Sequence, residues 1–146
     1  VLFIRNDEPR YSDVITCAAP NSRAARRWFH VTKSECINTM FDRIDHVLYA
    51  AYSNNVENLI LGAFGCGVFG NDIKEVIVIF LLFLYRKYHG CFKHVYFAIP
   101  TLKEKDTSFD IVKDIFINYS DKICKDKIIE LVDEIVPDIN IHEFMC

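Results

Sequence analysis

The stretch LILGAFGCGVFGND, Leu59 to Asp72, runs from an apolar segment through a loop with glycines at 65, 67 and 70 into the start of a helix. Glycine allows a positive φ and leaves no Cβ in the path of an approaching ligand. Successive backbone N–H groups, together with the positive end of the following helix, hold an anion. A diphosphate is the natural guest for such a loop. The bland alternative is an ordinary glycine-rich turn, against which the strand before and the helix after both weigh.

Working outward, the strand candidates are short and almost continuously apolar: Leu2 to Ile4, Val14 to Ala18, Leu59 to Ala63 and Val95 to Ile99. Such runs predict strands buried on both faces, as in a parallel sheet covered by helices. Between them, Ile37, Met40, Phe41, Ile44, Leu48 and Ala51 recur at spacings of three and four, which predicts a helix from Ser34 to Ser53 with one buried stripe. Thr32 or Ser34 is its expected cap, and Ser53 to Asn55 its end.

A second helix is expected from Asn71 or Asp72 to His89, with Gly90 as its stop. Its middle, VIVIFLLFLY, is apolar on every side, so length and the terminal glycine decide for a deeply buried helix over a strand. Further helices are expected over Ser108 to Ile117 and from Asp121 to Pro137. Strands alternating with helices give an α/β architecture.

Two other nucleotide-binding motifs compete for the loop. Gly65-Cys66-Gly67-Val68-Phe69-Gly70 formally matches the Rossmann fingerprint, which requires an acid at the end of the next strand. That strand, HVYFAIP, ends in Pro100 and Thr101, and the first carboxylate after it is Glu104. A P-loop fails because no Gly-Lys-Ser/Thr follows the glycines. Val14 to Asn21, VITCAAPN, reads as a strand entering a small-residue turn, where Asn21 offers both donors and acceptors. Taken alone, a turn shaped by Pro20 explains it.

Composition narrows the classes. A net charge of -3 without a run of Lys and Arg gives no face for duplex DNA or RNA and no case for an anionic membrane. The longest apolar run, Val76 to Tyr85, is far short of the roughly 20 residues that a membrane span needs. Cys17, Cys36, Cys66, Cys91, Cys124 and Cys146 are scattered, several within apolar segments, so a reducing intracellular setting (cytoplasmic or nuclear) is expected. His89, Cys91 and His94 straddle a helix end and a strand start without a matching second ligand pair, so no metal site is assigned. No base is identified for Cys66 as a nucleophile, and no cofactor is implied.

Together, ITCAAPN and LILGAFGCGVFGND resemble the microbial-type poly(ADP-ribose) glycohydrolases, a branch of the macrodomain superfamily. The resemblance runs in order from Val1 to Ile117: VLFIRNDE is similar to the family's strand before its Ala-Pro-Asn turn, and HVYFAIP to its next strand. It implies a macrodomain-like mixed or parallel sheet between helices, with ADP-ribose lying across the strand ends. It further implies that Gly65, Cys66, Gly67, Val68, Phe69 and Gly70 wrap the diphosphate, with Phe69 packed on the ribose beyond it. Ala19, Pro20 and Asn21 would then sit near the ligand cleft, and Tyr96 or Phe97 near the adenine.

The family's catalytic signature is a triple glycine followed by Gln-Glu-Glu, in which a glutamate acts as general acid and then activates water. No such segment occurs in this sequence. Its adjacent acidic pairs, Asp7-Glu8 and Asp133-Glu134, do not follow a glycine run. The chain begins with Val, inside an apolar run. The expectation is therefore the C-terminal portion of a glycohydrolase domain over residues 1–118, its N-terminal part missing, with a helical extension over 119–146. Its partner would be ADP-ribose or poly(ADP-ribose), its parent would hydrolyse ribose–ribose bonds, and the chain alone would be inactive, with no catalytic residue of its own. The alternative is a non-catalytic reader of ADP-ribose or a related nucleotide.

Overall fold

The computed structural model describes residues 11–101, 106–119 and 125–137. In chain order the elements are α1 (Ser22–Trp28), α2 (Lys33–Ser53), β1 (Asn58–Leu61), α3 (Ile73–Arg86), β2 (His94–Phe97), α4 (Ser108–Tyr119) and α5 (Lys125–Ile135). β1 and β2 pair in parallel, with Leu59 opposite Val95 and Leu61 opposite Phe97, and α3 is the crossover between them. The glycine loop thus joins β1 to α3 within a βαβ unit. The architecture is α/β.

Local chemistry sets the helix ends. Thr32 and Glu35 form a reciprocal capping box: the Glu35 N–H donates to the Thr32 hydroxyl at 3.2 Å, and the Thr32 N–H donates to the Glu35 carboxylate at 2.8 Å. α2 stops where Asn55 turns left-handed, at φ 55°. Asp72 caps α3 by accepting from the Lys74 N–H at 2.8 Å. Replacing a cap of this kind by alanine costs typically about 1 kcal/mol.

α3 is the centre of the core. Every residue from Val76 to Phe83 is buried, because α2, α4 and α5 pack around the helix and β1 adds Leu59 and Leu61. A helix enclosed in this way has no polar face to display, which is why its sequence lacks a helical period. α5 contributes Ile128, Leu131 and Val132 to the same core, followed by Val136. Each fully buried aliphatic side chain stabilises by about 1.5–3 kcal/mol relative to exposure. Just past the C-terminal end of α3, the buried Tyr88 donates its hydroxyl to Asp45 of α2 at 2.7 Å, and Lys87 closes an ion pair with the same carboxylate, also at 2.7 Å.

Four expectations change. Val14 to Ala18 is not a strand: nothing among the described residues forms a ladder with it, and an extended run without a partner leaves Val14 and Ile15 exposed. Residues 22–28 form a helix that periodicity does not reveal, since SRAARRW has no apolar stripe. The strands are buried on one face only. Leu59 and Leu61 face α3, whereas their neighbours Ile60 and Tyr96 are 73% and 56% exposed. Finally, α3 ends at Arg86, not His89, and Gly90 follows with φ 72°. The Leu2 to Ile4 strand and the Asp7-Glu8 pair lie outside the described residues.

No helix among the described residues is long and apolar enough to cross a membrane. Cys17, Cys36, Cys66 and Cys91 are free thiols.

Candidate functional site

The glycine loop is held from below by its own carbonyls. The Asn71 N–H bonds to the Gly65 carbonyl at 3.3 Å, the Cys66 N–H to Ala63 at 3.1 Å, and the Gly70 N–H to Gly67 at 3.2 Å. Gly65 and Gly70 lie in the left-handed region, with φ 73° and 70°. Among the described residues, the backbone N–H groups of Gly65, Gly67, Val68 and Phe69 find no acceptor. Three of these are consecutive and exposed. Unpaired successive N–H groups in a turn form a concavity that favours an anion, and the N-terminus of α3 follows directly.

The three glycines are not equivalent. At Gly65 a Cβ would stand 2.6 Å from the Ala19 Cβ and 2.5 Å from the Asn71 amide nitrogen, so the fold itself demands glycine there. At Gly67 a Cβ would meet nothing within 4 Å, and the φ there is not left-handed. The polypeptide has no need of a glycine at 67. A ligand lying against the backbone would.

The two sequence clusters meet, and Asn71 joins them. Its amide nitrogen donates to the Pro20 carbonyl at 2.9 Å and to the Gly65 carbonyl at 2.8 Å. Its amide oxygen accepts from the Ser22 hydroxyl at 2.5 Å. A third link runs from the Arg23 N–H to the Phe69 carbonyl at 2.9 Å. Asn71 and Ser22 were not foreseen as site residues. The only sequence signal was the polar Asn71 between the last glycine and the Asp72 cap.

The other candidates fall as follows. Ala19 packs on Gly65. Asn21 is the N-cap of α1, its side-chain oxygen accepting from the Ala24 N–H at 3.0 Å. Val68 and Phe69 stand at the exposed tip of the loop. Phe97 makes its ring contacts with Phe80 and Phe116, on the covered face of the sheet, while Tyr96 lies on the open face near His94.

Cys66 is a thiol and not a nucleophile at neutral pH. Burial, with Asp72 and Glu75 adding negative charge nearby, pushes its pKa up to about 12. A reactive cysteine needs the opposite environment. Among the described residues no three His, Cys, Asp or Glu side chains converge on a point that would hold a metal.

Solved structures share this fold. The poly(ADP-ribose) glycohydrolase of Deinococcus radiodurans in complex with ADP-ribose is 29% identical, with a TM-score of 0.65 over 68% of this chain and 40% of that one. Its apo form gives 0.64. The glycohydrolase of Thermomonospora curvata is 34% identical, with a TM-score of 0.60 over 65% of this chain and 35% of that one. The chain therefore spans well under half the length of these structures, and over the shared part it has a microbial-type poly(ADP-ribose) glycohydrolase-like fold. A scan against protein-family models and a search of curated proteins each found no match.

Proposed function

We propose that this chain supplies the ADP-ribose-binding part of a poly(ADP-ribose) glycohydrolase-like site. The observation that carries this reading is the run of unpaired N–H groups at Gly67, Val68 and Phe69, beside a glycine that the polypeptide's own packing does not require. The loop takes the diphosphate, Phe69 packs on the ribose beyond it, and Ala19, Pro20 and Asn21 border the cleft. Likeness to a glycohydrolase in complex with ADP-ribose supports the choice of ligand.

The cleavage step needs a carboxylic acid to protonate the leaving oxygen and then a base for water. Among the described residues nothing at the loop does this: Cys66 is held protonated, and the nearby carboxylates serve other ends, Asp72 as the α3 cap and Glu75 in an ion pair with Lys33. On this reading the chain alone binds without cutting. In a complete site the acid comes from residues other than those described, and the parent activity is hydrolysis of ribose–ribose bonds. The same pairing of an intact cradle with no local acid also fits a non-catalytic reader. The free thiols at Cys36 and Cys66 support a reducing, intracellular setting.

Calorimetry with ADP-ribose tests the reading. Saturable binding by the wild-type chain, lost in Gly67→Glu, is the expected result. Equal heats from both proteins would sink it. Release of ADP-ribose from polymer by the purified chain would overturn the claim that it does not cut.

A further inference from the structure

The glycine loop offers backbone N–H groups to an anion but carries no cation of its own. Its flank is acidic: Asp72 and Glu75 both place negative charge near Cys66. Lys33 pairs with Glu75, whereas Asp72 makes no ion pair among the described residues. A doubly charged diphosphate therefore needs a positive group beside the cradle to offset the repulsion.

Arg23 is placed to be that group. Its backbone N–H donates to the Phe69 carbonyl at 2.9 Å, which ties the start of α1 to the tip of the loop. The preceding Ser22 is bonded to Asn71, so the attachment is double. From this anchor the side chain lies along Gly70. A Cβ built on that glycine would stand 3.4 Å from the arginine Cβ, 3.3 Å from its Nε and 3.6 Å from its Nη2. Gly70 thus leaves the room that the arginine occupies. The guanidinium rests on the residue that directly follows the unpaired N–H groups of Gly67, Val68 and Phe69.

The head of this side chain is unspent. Arg23 is exposed, and among the described residues its guanidinium has neither an ion pair nor a hydrogen-bond acceptor. Arg27 of the same helix is engaged differently, lying over the Trp28 ring at 5.0 Å from its centroid. An exposed arginine is commonly just solvated, but this one is laid on the backbone of the loop.

We propose that Arg23 is a ligand-binding residue of this site, its guanidinium gripping the diphosphate oxygens together with the loop N–H groups. A guanidinium takes two phosphate oxygens at once, so Arg23 selects for the diphosphate over the uncharged parts of the ligand. The proposal rests on the reading of the loop as an ADP-ribose cradle, and adds the charge that the loop lacks.

Calorimetry with ADP-ribose on the full chain, at ionic strengths from about 0.05 to 0.5 M, tests the assignment. Arg23→Gln should bind at least about tenfold more weakly at low salt, and the gap should narrow as salt screens the wild-type contact. Arg23→Lys keeps the charge but loses the planar fork, so its affinity should fall between the two. Lys74→Gln removes a charge from the exposed side of the first turn of α3, and should change affinity by less than about threefold. Circular dichroism spectra and melting temperatures that match wild type identify the folded variants. Either Arg23 variant binding within about twofold of wild type overturns the assignment and leaves the loop reading standing. A loss that salt does not narrow, or one that Lys74→Gln equals, also overturns it, by tracing the effect to packing on Gly70 or to overall charge. A wild-type chain that binds no ADP-ribose overturns both readings.

Discussion

Gly65 lies so close to Ala19 that no side chain fits between them: a Cβ added to the glycine would fall 2.6 Å from the alanine Cβ. This contact locks the loop after β1 onto the turn that precedes α1. Gly65→Ala adds a clash to a left-handed φ, so the variant should lose at least about 2 kcal/mol in chemical denaturation. A loss below about 0.5 kcal/mol, the ordinary range for surface changes, would mean that the two segments part easily.

Gly67 makes the opposite prediction. Open space surrounds it, so Gly67→Ala should leave unfolding within about 0.5 kcal/mol of wild type. Its affinity for ADP-ribose should nevertheless fall at least about tenfold, or 1.4 kcal/mol, because the added methyl stands where the diphosphate approaches. Equal binding by the two proteins would show that the ligand does not touch this stretch.

Asn71 spends its amide nitrogen on both segments and its oxygen on Ser22, which is buried. Asn71→Ala strands the Ser22 hydroxyl and the Pro20 carbonyl, while the Gly65 carbonyl keeps the Asn71 backbone N–H, and should cost about 1–3 kcal/mol. Ser22→Ala removes the donor but leaves the bonds to Pro20 and Gly65, so it should cost less. Reversal of that order in melting temperatures would deny Asn71 its joining role.

The Tyr88 hydroxyl should govern alkaline stability. Burial first, then its bond to Asp45, raises its pKa above the ordinary 10.0. The folded state thus favours the neutral phenol: its contribution is full below about pH 10 and is lost as pH climbs toward the raised value. Tyr88→Phe should cost about 1 kcal/mol at neutral pH and flatten the decline above pH 10. An identical decline in the variant would place its cause elsewhere.

Cys66 should resist alkylation. With its pKa raised from 9.0 to about 12, the thiolate is scarce at pH 8, whereas the exposed Cys91 is accessible. Mass spectrometry after brief iodoacetamide treatment should find Cys91 modified and Cys66 intact. Early labelling of Cys66 would contradict the burial that raises it.

The loop and the helix after it were legible in the sequence because glycines, caps and apolar runs are local signals. α2 was legible from its stripe, with Thr32 one of its two expected caps; the partner role of Glu35 was not read from the sequence. Residues 14–18 misled because an apolar run reports the propensity to pair, not the presence of a partner. α1 was hidden because its arginines and alanines give no periodic contrast. Asn71 was missed for a different reason: its partner Pro20 is 51 residues away, and nothing in a linear reading shows which carbonyls a lone amide will reach.

The loop is framed by β1, buried on one face, and by α3, buried from Val76 to Phe83. In deuterated solvent these neighbours should differ sharply in time. Amides inside α3 open only with global unfolding, while those of Gly67, Val68 and Phe69 have no acceptor among the described residues and should exchange at once. The site is therefore a window of fast exchange set against the slow helix α3. A ligand on the loop would slow these amides directly, and the protected residues would trace its footprint.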